Sequence, residues 1–239
     1  DIKKTKSCSI DRSVALYGDQ NFWWVMNDKG NIHTETGADP IGMEIRAQAF
    51  AFASNDEINN MTFYNYELIN RGTQTLYNTY FGFFTDGALG DPYDDYVGCD
   101  VNRGLGYYYN GDNYDGDNSG YKGYGYSPPA VGVDFFEGPY QDNDGIDNAF
   151  GIGDNEALNG IGYGDGVIDN ERFGMRRFLY YSNTTNGANP NQTDPTNASD
   201  YYNYLRGFWK DGSKFVYGGS GHISDPEADP NTPCEFMFP

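Results

Sequence analysis

Residues 41–54, IGMEIRAQAFAFAS, alternate with a period of two, and this run constrains the fold more than any other part of the chain. The spacing predicts a strand with Met43, Ile45, Ala47, Ala49 and Ala51 on one face. Glu44, Arg46, Gln48, Phe50 and Phe52 share the other face, which passes from polar to aromatic, as if running from an exposed region into a covered one. Residues 61–68 and 76–85 continue the pattern, and the turn chemistry of Asn70-Arg71-Gly72-Thr73 predicts that they pair as a hairpin. Residues 14–25 suggest two short strands around a turn. Adjacent Trp23 and Trp24 must then point to opposite faces.

Further strands are expected around Val97 and at residues 105–109, 128–136 and 215–217, with a strand or short helix at 173–182. The best helix candidate is 200–209, with Asp200 as cap and Tyr201, Tyr204, Leu205 and Phe208 on one side. Residues 183–199 are rich in Asn, Thr and Pro and read as a surface excursion. The fold class this implies is all-β: an antiparallel β-sandwich, jelly-roll-like, with long Asp/Gly/Asn-rich loops and at most one or two short helices. A chain of 239 residues fits a single domain spanning 1–239, with loop-rich insertions at about 86–126 and 141–200.

Hydrophobic residues make up only 38% of the chain, but aromatics make up 17%, so the expected core is rich in Tyr and Phe. Charge excludes whole classes of partner. With 35 acidic against 15 basic residues, a net charge of -20 repels nucleic acid and anionic membranes. No apolar run is long enough to span a bilayer. The acids are mainly Asp set among Gly and Asn, which implies a cation partner, and oxygen ligands at flexible spacing suit calcium. A solvated acidic surface accounts for the same composition. Of the three cysteines, Cys8 and Cys234 lie near the two ends. A bridge between them would add about 4–5 kcal/mol in the chain-entropy account, although spacing does not fix connectivity. Cys99 reads as a buried thiol.

Two acidic stretches are the candidate metal ligands. The first holds Asp86, Asp91, Asp94, Asp95 and Asp100, followed by Asp112, Asp115 and Asp117. The second holds Asp142, Asp144 and Asp147, then Asp154, Glu156, Asp165, Asp169 and Glu171. Calcium takes six to eight oxygens, which carboxylates and Gly-loop carbonyls can supply; for the first stretch, Asx turns on a solvated loop are the plain alternative. GDGVIDNE matches the back half of an EF-hand or dockerin loop through Asp165, Gly166, Ile168 and Asp169. Its front half departs, because Ile161 and Tyr163 occupy carboxylate positions and Arg172 stands where the bidentate acid belongs. The expectation is therefore a looser calcium loop that borrows Asp142, Asp144 or Asp154.

Aromatics in the acidic loops suggest a sugar-stacking surface, with Trp24, Tyr108, Tyr114 and Tyr124 as candidate ligand contacts; core packing is the alternative for most of them. No catalytic constellation is expected. His33 and His222 are far apart, Gly218–His222 fails the nucleophile-elbow spacing, and any chain this acidic offers carboxylate pairs such as Glu44, Glu67, Glu137 and Glu171.

The segments YGDQNFWWVMNDKGNIHTE, GMEIRAQAFAFA, MTFYNYELINRG, FTDGALGDPYDDYVGCDVNRGLGYYYNGDN and YGYSPPAVGVDFFEGP resemble a recurring region of large Bacteroidetes surface proteins. The resemblance covers residues 17–140 and again 164–182. In that family such regions precede C-terminal type IX secretion sorting domains. The resemblance implies an extracellular or outer-surface location and a piece excised from a longer precursor. Expected partners are other domains of that precursor, other surface proteins or glycans. The function expected is a secreted structural or adhesive module stabilised by calcium, with carbohydrate binding as the alternative and glycoside hydrolysis a weaker one.

Overall fold

β1 (Gln20–Asn27), β2 (Met43–Ala51) and β3 (Thr62–Asn70) form one antiparallel sheet in the order β1-β2-β3. The computed structural model describes residues 15–150, 160–183 and 187–239. The alternation of residues 41–54 sets the register: Ala47 faces Trp24 on β1 and Tyr66 on β3, while its neighbour Gln48 faces Trp23 and Asn65. The adjacent tryptophans therefore point to opposite sides, as expected. Among the described residues, 15–27 hold one strand rather than two. Gly18 turns the chain at φ 64, Asp19 N–H donates to the Ala51 carbonyl, and Gln20 then pairs directly with Ala51. The polar-to-aromatic face is also as read. Glu44 bonds Arg46 and Arg71 at one end, and Phe50 stacks on Phe63 at the other.

Chain packing divides the molecule into two compact units, Asp1–Tyr77 and Asn78–Pro239. The second unit contains β4 (Asp95–Asp100), β5 (Leu105–Asn110), β6 (Tyr114–Asp115), β7 (Gly125–Tyr126) and β8 (Val131–Asp134). It continues with α1 (Ala198–Arg206), β9 (Val216–Tyr217) and β10 (Asp229–Pro233). The sheets are β4-β5-β8, β6-β7 and β10-β9. The named strands all pair antiparallel, and α1 is the one α-helix among the described residues. The class is all-β with antiparallel sheets, each small and open.

Three further expectations need correction. Residues 76–85 form no strand, and β3 pairs with β2 rather than with them. From residue 78 on, the aromatics of that stretch pack on α1 and its surroundings: Tyr80 meets Tyr202 edge-on, Phe84 stacks on Tyr181, and Tyr202 OH donates to the Asn78 carbonyl. Residues 173–182 are neither strand nor helix. Their backbone groups bridge to the C-terminal segment instead, with Phe178 N–H on the Glu235 carbonyl and Met237 N–H on the Phe178 carbonyl. The cap of α1 is Asn197, whose side chain accepts from Asp200 N–H at 3.1 Å. Asp200 sits one turn in and reaches back to Thr196 N and Oγ1, a reciprocal capping arrangement.

The core of the second unit is aromatic, as composition predicts. Tyr204, Trp209, Phe215 and Met237 form its centre, with Phe178, Leu179, Tyr181 and Cys234 packed against them. Trp209 and Phe215 are fully buried, and Trp209 Nε1 donates to the Gly221 carbonyl at 2.8 Å. Cys99 is buried and donates to the Met237 carbonyl. Cys99 and Cys234 are free thiols, and Cys8 lies outside the described residues.

Candidate metal centre

Two Gly/Asp-rich segments, 140–148 and 161–172, lie side by side. Bridges run from Arg172 to both Tyr140 and Ile161, and Gln141 N–H donates to the Glu171 carbonyl. Each segment is bent by an Asx turn of the kind its sequence predicts. Asp144 accepts from Ile146 N–H and Asp165 from Val167 N–H, both at 2.8 Å. Gly145 and Gly166 supply the left-handed backbone at φ 79 and φ 89. Asp147 latches the segments together by accepting from Gly164 and Gly166 N–H.

This arrangement brings carboxylate oxygens of Asp142, Asp144 and Asp169 within 4.8 Å of one another. Among the described residues, no ion pair joins any of the three to Lys or Arg. Burial pushes the Asp142 carboxyl above the ordinary range, and the charges of Asp144, Glu171 and Asp169 push it further. Glu171 is 1% exposed and accepts from Asn148 N–H at 2.5 Å. Three buried amide oxygens in the same segments, Gln141 Oε1, Asn148 Oδ1 and Asn170 Oδ1, have no hydrogen-bond partner. The three carboxylates are oxygen donors of the kind a hard cation takes, with Asp142 and Asp144 exposed and Asp169 half-buried, and flexible loop spacing suits calcium better than magnesium.

No family model, no curated protein and no solved structure matches this chain. The chemistry of the site is therefore argued from its own geometry.

Of the EF-hand-like residues, Asp169 joins the triad. Asp165 does not; its side chain accepts from Val167 N–H and Asn170 Nδ2 instead. Of the acids expected to be borrowed, Asp142 and Asp144 lie beside Asp169, while Asp154, like Glu156, lies outside the described residues. In the first acidic stretch, Asp91 and Asp115 are buried, and Asp115 accepts from Asp91 and Tyr124 N–H. Burial raises the Asp95 carboxyl, against the pull of the Leu89 N–H, with Asp94, Asp115 and Asp91 adding to the rise. The oxygens of these four do not converge as the triad's do. The remainder have other uses. Asp112 accepts from Tyr114 N–H, Asp117 pairs with Lys122 and Asp100 with Arg103, and Asp86 is exposed.

The sequence-predicted ligand aromatics do not form one surface. Trp24 belongs to the sheet of the first unit, half-buried opposite Ala47. Tyr108 faces inward and bonds Thr85. Tyr114 pairs with Tyr126, and Tyr124 is exposed. Three other tyrosines, Tyr96, Tyr107 and Tyr109, do gather on one face of β4–β5. The strand alternation of LGYYYN already separates Tyr107 and Tyr109 from Tyr108; only the pairing with β4 adds Tyr96.

Proposed function

We propose that this chain is a calcium-stabilised structural or adhesive module of a secreted surface protein, built as an antiparallel β-sandwich of the jelly-roll type. One observation carries the calcium reading: Asp142, Asp144 and Asp169 converge from two separate segments with no basic partner among the described residues. Three carboxylates so close repel one another, and a divalent cation converts that repulsion into a crosslink between the segments. A ligand that binds only the folded state stabilises it by mass action, about 2.7 kcal/mol at a hundredfold excess over Kd. A net charge of -20 makes such neutralisation more valuable to this chain than to a balanced one. The outer-surface location and the export route rest on the resemblance of the quoted segments to Bacteroidetes surface proteins.

The reading is tested by thermal unfolding of the full chain with calcium and with a chelator. Calcium should raise Tm, and the Asp144→Asn/Asp169→Asn double variant should lose that response. An identical Tm in both conditions, with no metal in the purified protein by elemental analysis, would remove the proposal.

A further inference from the structure

The outer face of the β4-β5-β8 sheet has the composition of a binding surface. Register places Tyr96 opposite Tyr109, Gly98 opposite Tyr107 and Tyr107 opposite Gly132, with Asp100 and Asp134 flanking Leu105 on its two sides. Side chains alternate along a strand, so all of these share one face. The other face is the inner one. There Cys99 meets Met237, Gly106 lies against Phe178 and Tyr108 bonds Thr85. On a solvent face polar residues are expected, yet here Tyr96 is 58% and Tyr109 41% exposed.

Glycines set how these rings lie. A Cβ on Gly98 would sit 2.6 Å from the Tyr107 hydroxyl and 2.7 Å from Cζ, and a Cβ on Gly111 would sit 2.5 Å from Tyr96 Cε2. Both rings therefore occupy space over glycine backbone that a side chain would fill, and the ring planes are tilted by 30° between Tyr96 and Tyr109 and by 44° between Tyr107 and Tyr109. Tyr96 and Tyr109 have centroids 5.9 Å apart, and Tyr109 and Tyr107 are 5.8 Å apart, so the three make a continuous strip. The strip leads to a pocket of about 430 Å³ whose lining includes Tyr107, Leu105, Asn102 and Asp100. Asp134 stands just across Leu105.

We propose that this strip binds a neutral polysaccharide segment, with sugar rings stacked on Tyr96, Tyr109 and Tyr107 and hydroxyls donating to Asp134 and to Asp100, whose carboxylate is also paired with Arg103. Sugar rings carry an apolar C–H face that packs on aromatic rings and a rim of hydroxyls that donates to carboxylates. A row of rings ending in two carboxylates and an amide matches both. An anionic polymer is disfavoured by the net charge of -20, which the single Arg103 paired with Asp100 at the end of the strip does not offset. The proposal does not depend on the calcium reading, since none of the strip residues belongs to the Asp142–Asp144–Asp169 group.

The test is affinity electrophoresis and calorimetry of the full chain against soluble β-glucan, xylan and mannan. Alginate and a lysine-rich peptide serve as charged comparators, and every arm is run with and without chelator. At least one neutral polysaccharide should bind in both conditions. Tyr96→Ala/Tyr109→Ala should weaken binding at least tenfold at unchanged Tm, Tyr109→Phe should retain it, and Tyr126→Ala, outside the strip, should leave it intact. Binding of only the peptide or alginate, full binding by the double alanine variant, or no binding by any neutral polysaccharide would each overturn the proposal.

Discussion

Tyr181 and Tyr204 stack with their ring planes 1° from parallel and their centroids 4.8 Å apart, which joins the chain before α1 to the buried side of the helix. The Tyr204 hydroxyl completes the join by donating to the Thr193 carbonyl at 2.7 Å. Tyr204→Phe keeps the stack and leaves that carbonyl short of its donor, so it should cost about 1 kcal/mol. Tyr204→Ala also opens a cavity beside Trp209 and should cost about 3–5 kcal/mol. Urea unfolding of the two variants checks both values; equal losses would mean that the ring contributes nothing beyond its hydroxyl.

Asp28 anchors the connection from β1 to β2. Its carboxylate accepts from Ile41 N–H at 2.6 Å, Gly42 N–H at 2.9 Å and Met43 N–H at 2.9 Å. Asp28→Ala removes the acceptor for three backbone donors at once and should destabilise the first unit by about 1–3 kcal/mol. Asp28→Asn keeps one oxygen and should lose less. Amide exchange at residues 41–43 reads the effect directly, and unchanged protection in Asp28→Ala would refute it.

Acid should favour the metal-free triad. The Asp142 carboxyl is raised by burial and by its acidic neighbours. A raised folded value means that its contribution is fully present below the unfolded value, about 3.9, and is lost as pH rises through the folded one. In chelator, Asp142→Asn should therefore gain stability relative to the parent as pH is raised from about 3.5 to 6, and saturating calcium should abolish the gain. A parent-minus-variant difference that stays flat with pH would contradict the crowding of these carboxylates.

Cys99 should be inert until the protein unfolds. It is 2% exposed, and burial pushes its thiol up to about 11, with the Asp100 charge adding to the shift. Neither thiolate nor access is available at neutral pH. A thiol reagent at pH 7.5 should label Cys99 only in denaturant, as followed by peptide mass spectrometry. Labelling of the native protein within minutes would show that the inner sheet face opens.

What was legible in the sequence follows from the range of the forces concerned. β2 could be read residue by residue because alternation is a local property, and the strands expected at 105–109 and, after the Pro-Pro entry, at 128–136 form as β5 and β8. Residues 76–85 alternate equally well, yet they form no strand, because α1 and Tyr181 offer their aromatics a better surface than β3 offers their backbone. The polar tail gave no strand signal, but β10 forms there and Met237 enters the core, held by the Phe178 carbonyl. Asx turns form at Asp144 and Asp165, where Asp-Gly spacing favours them, whereas no local spacing identifies the triad.

By itself the sequence determined the all-β class, the aromatic character of the core and the acidic loops, since each follows from composition or from contacts a few residues apart. Tertiary structure decided which acids meet and which tyrosines share a surface. Asp169 finds Asp142 and Asp144 through the pairing of two distant segments. Tyr96 joins Tyr107 and Tyr109 through the register of β4 on β5. Such juxtapositions depend on how separated stretches of chain pack and pair, and no local spacing encodes that.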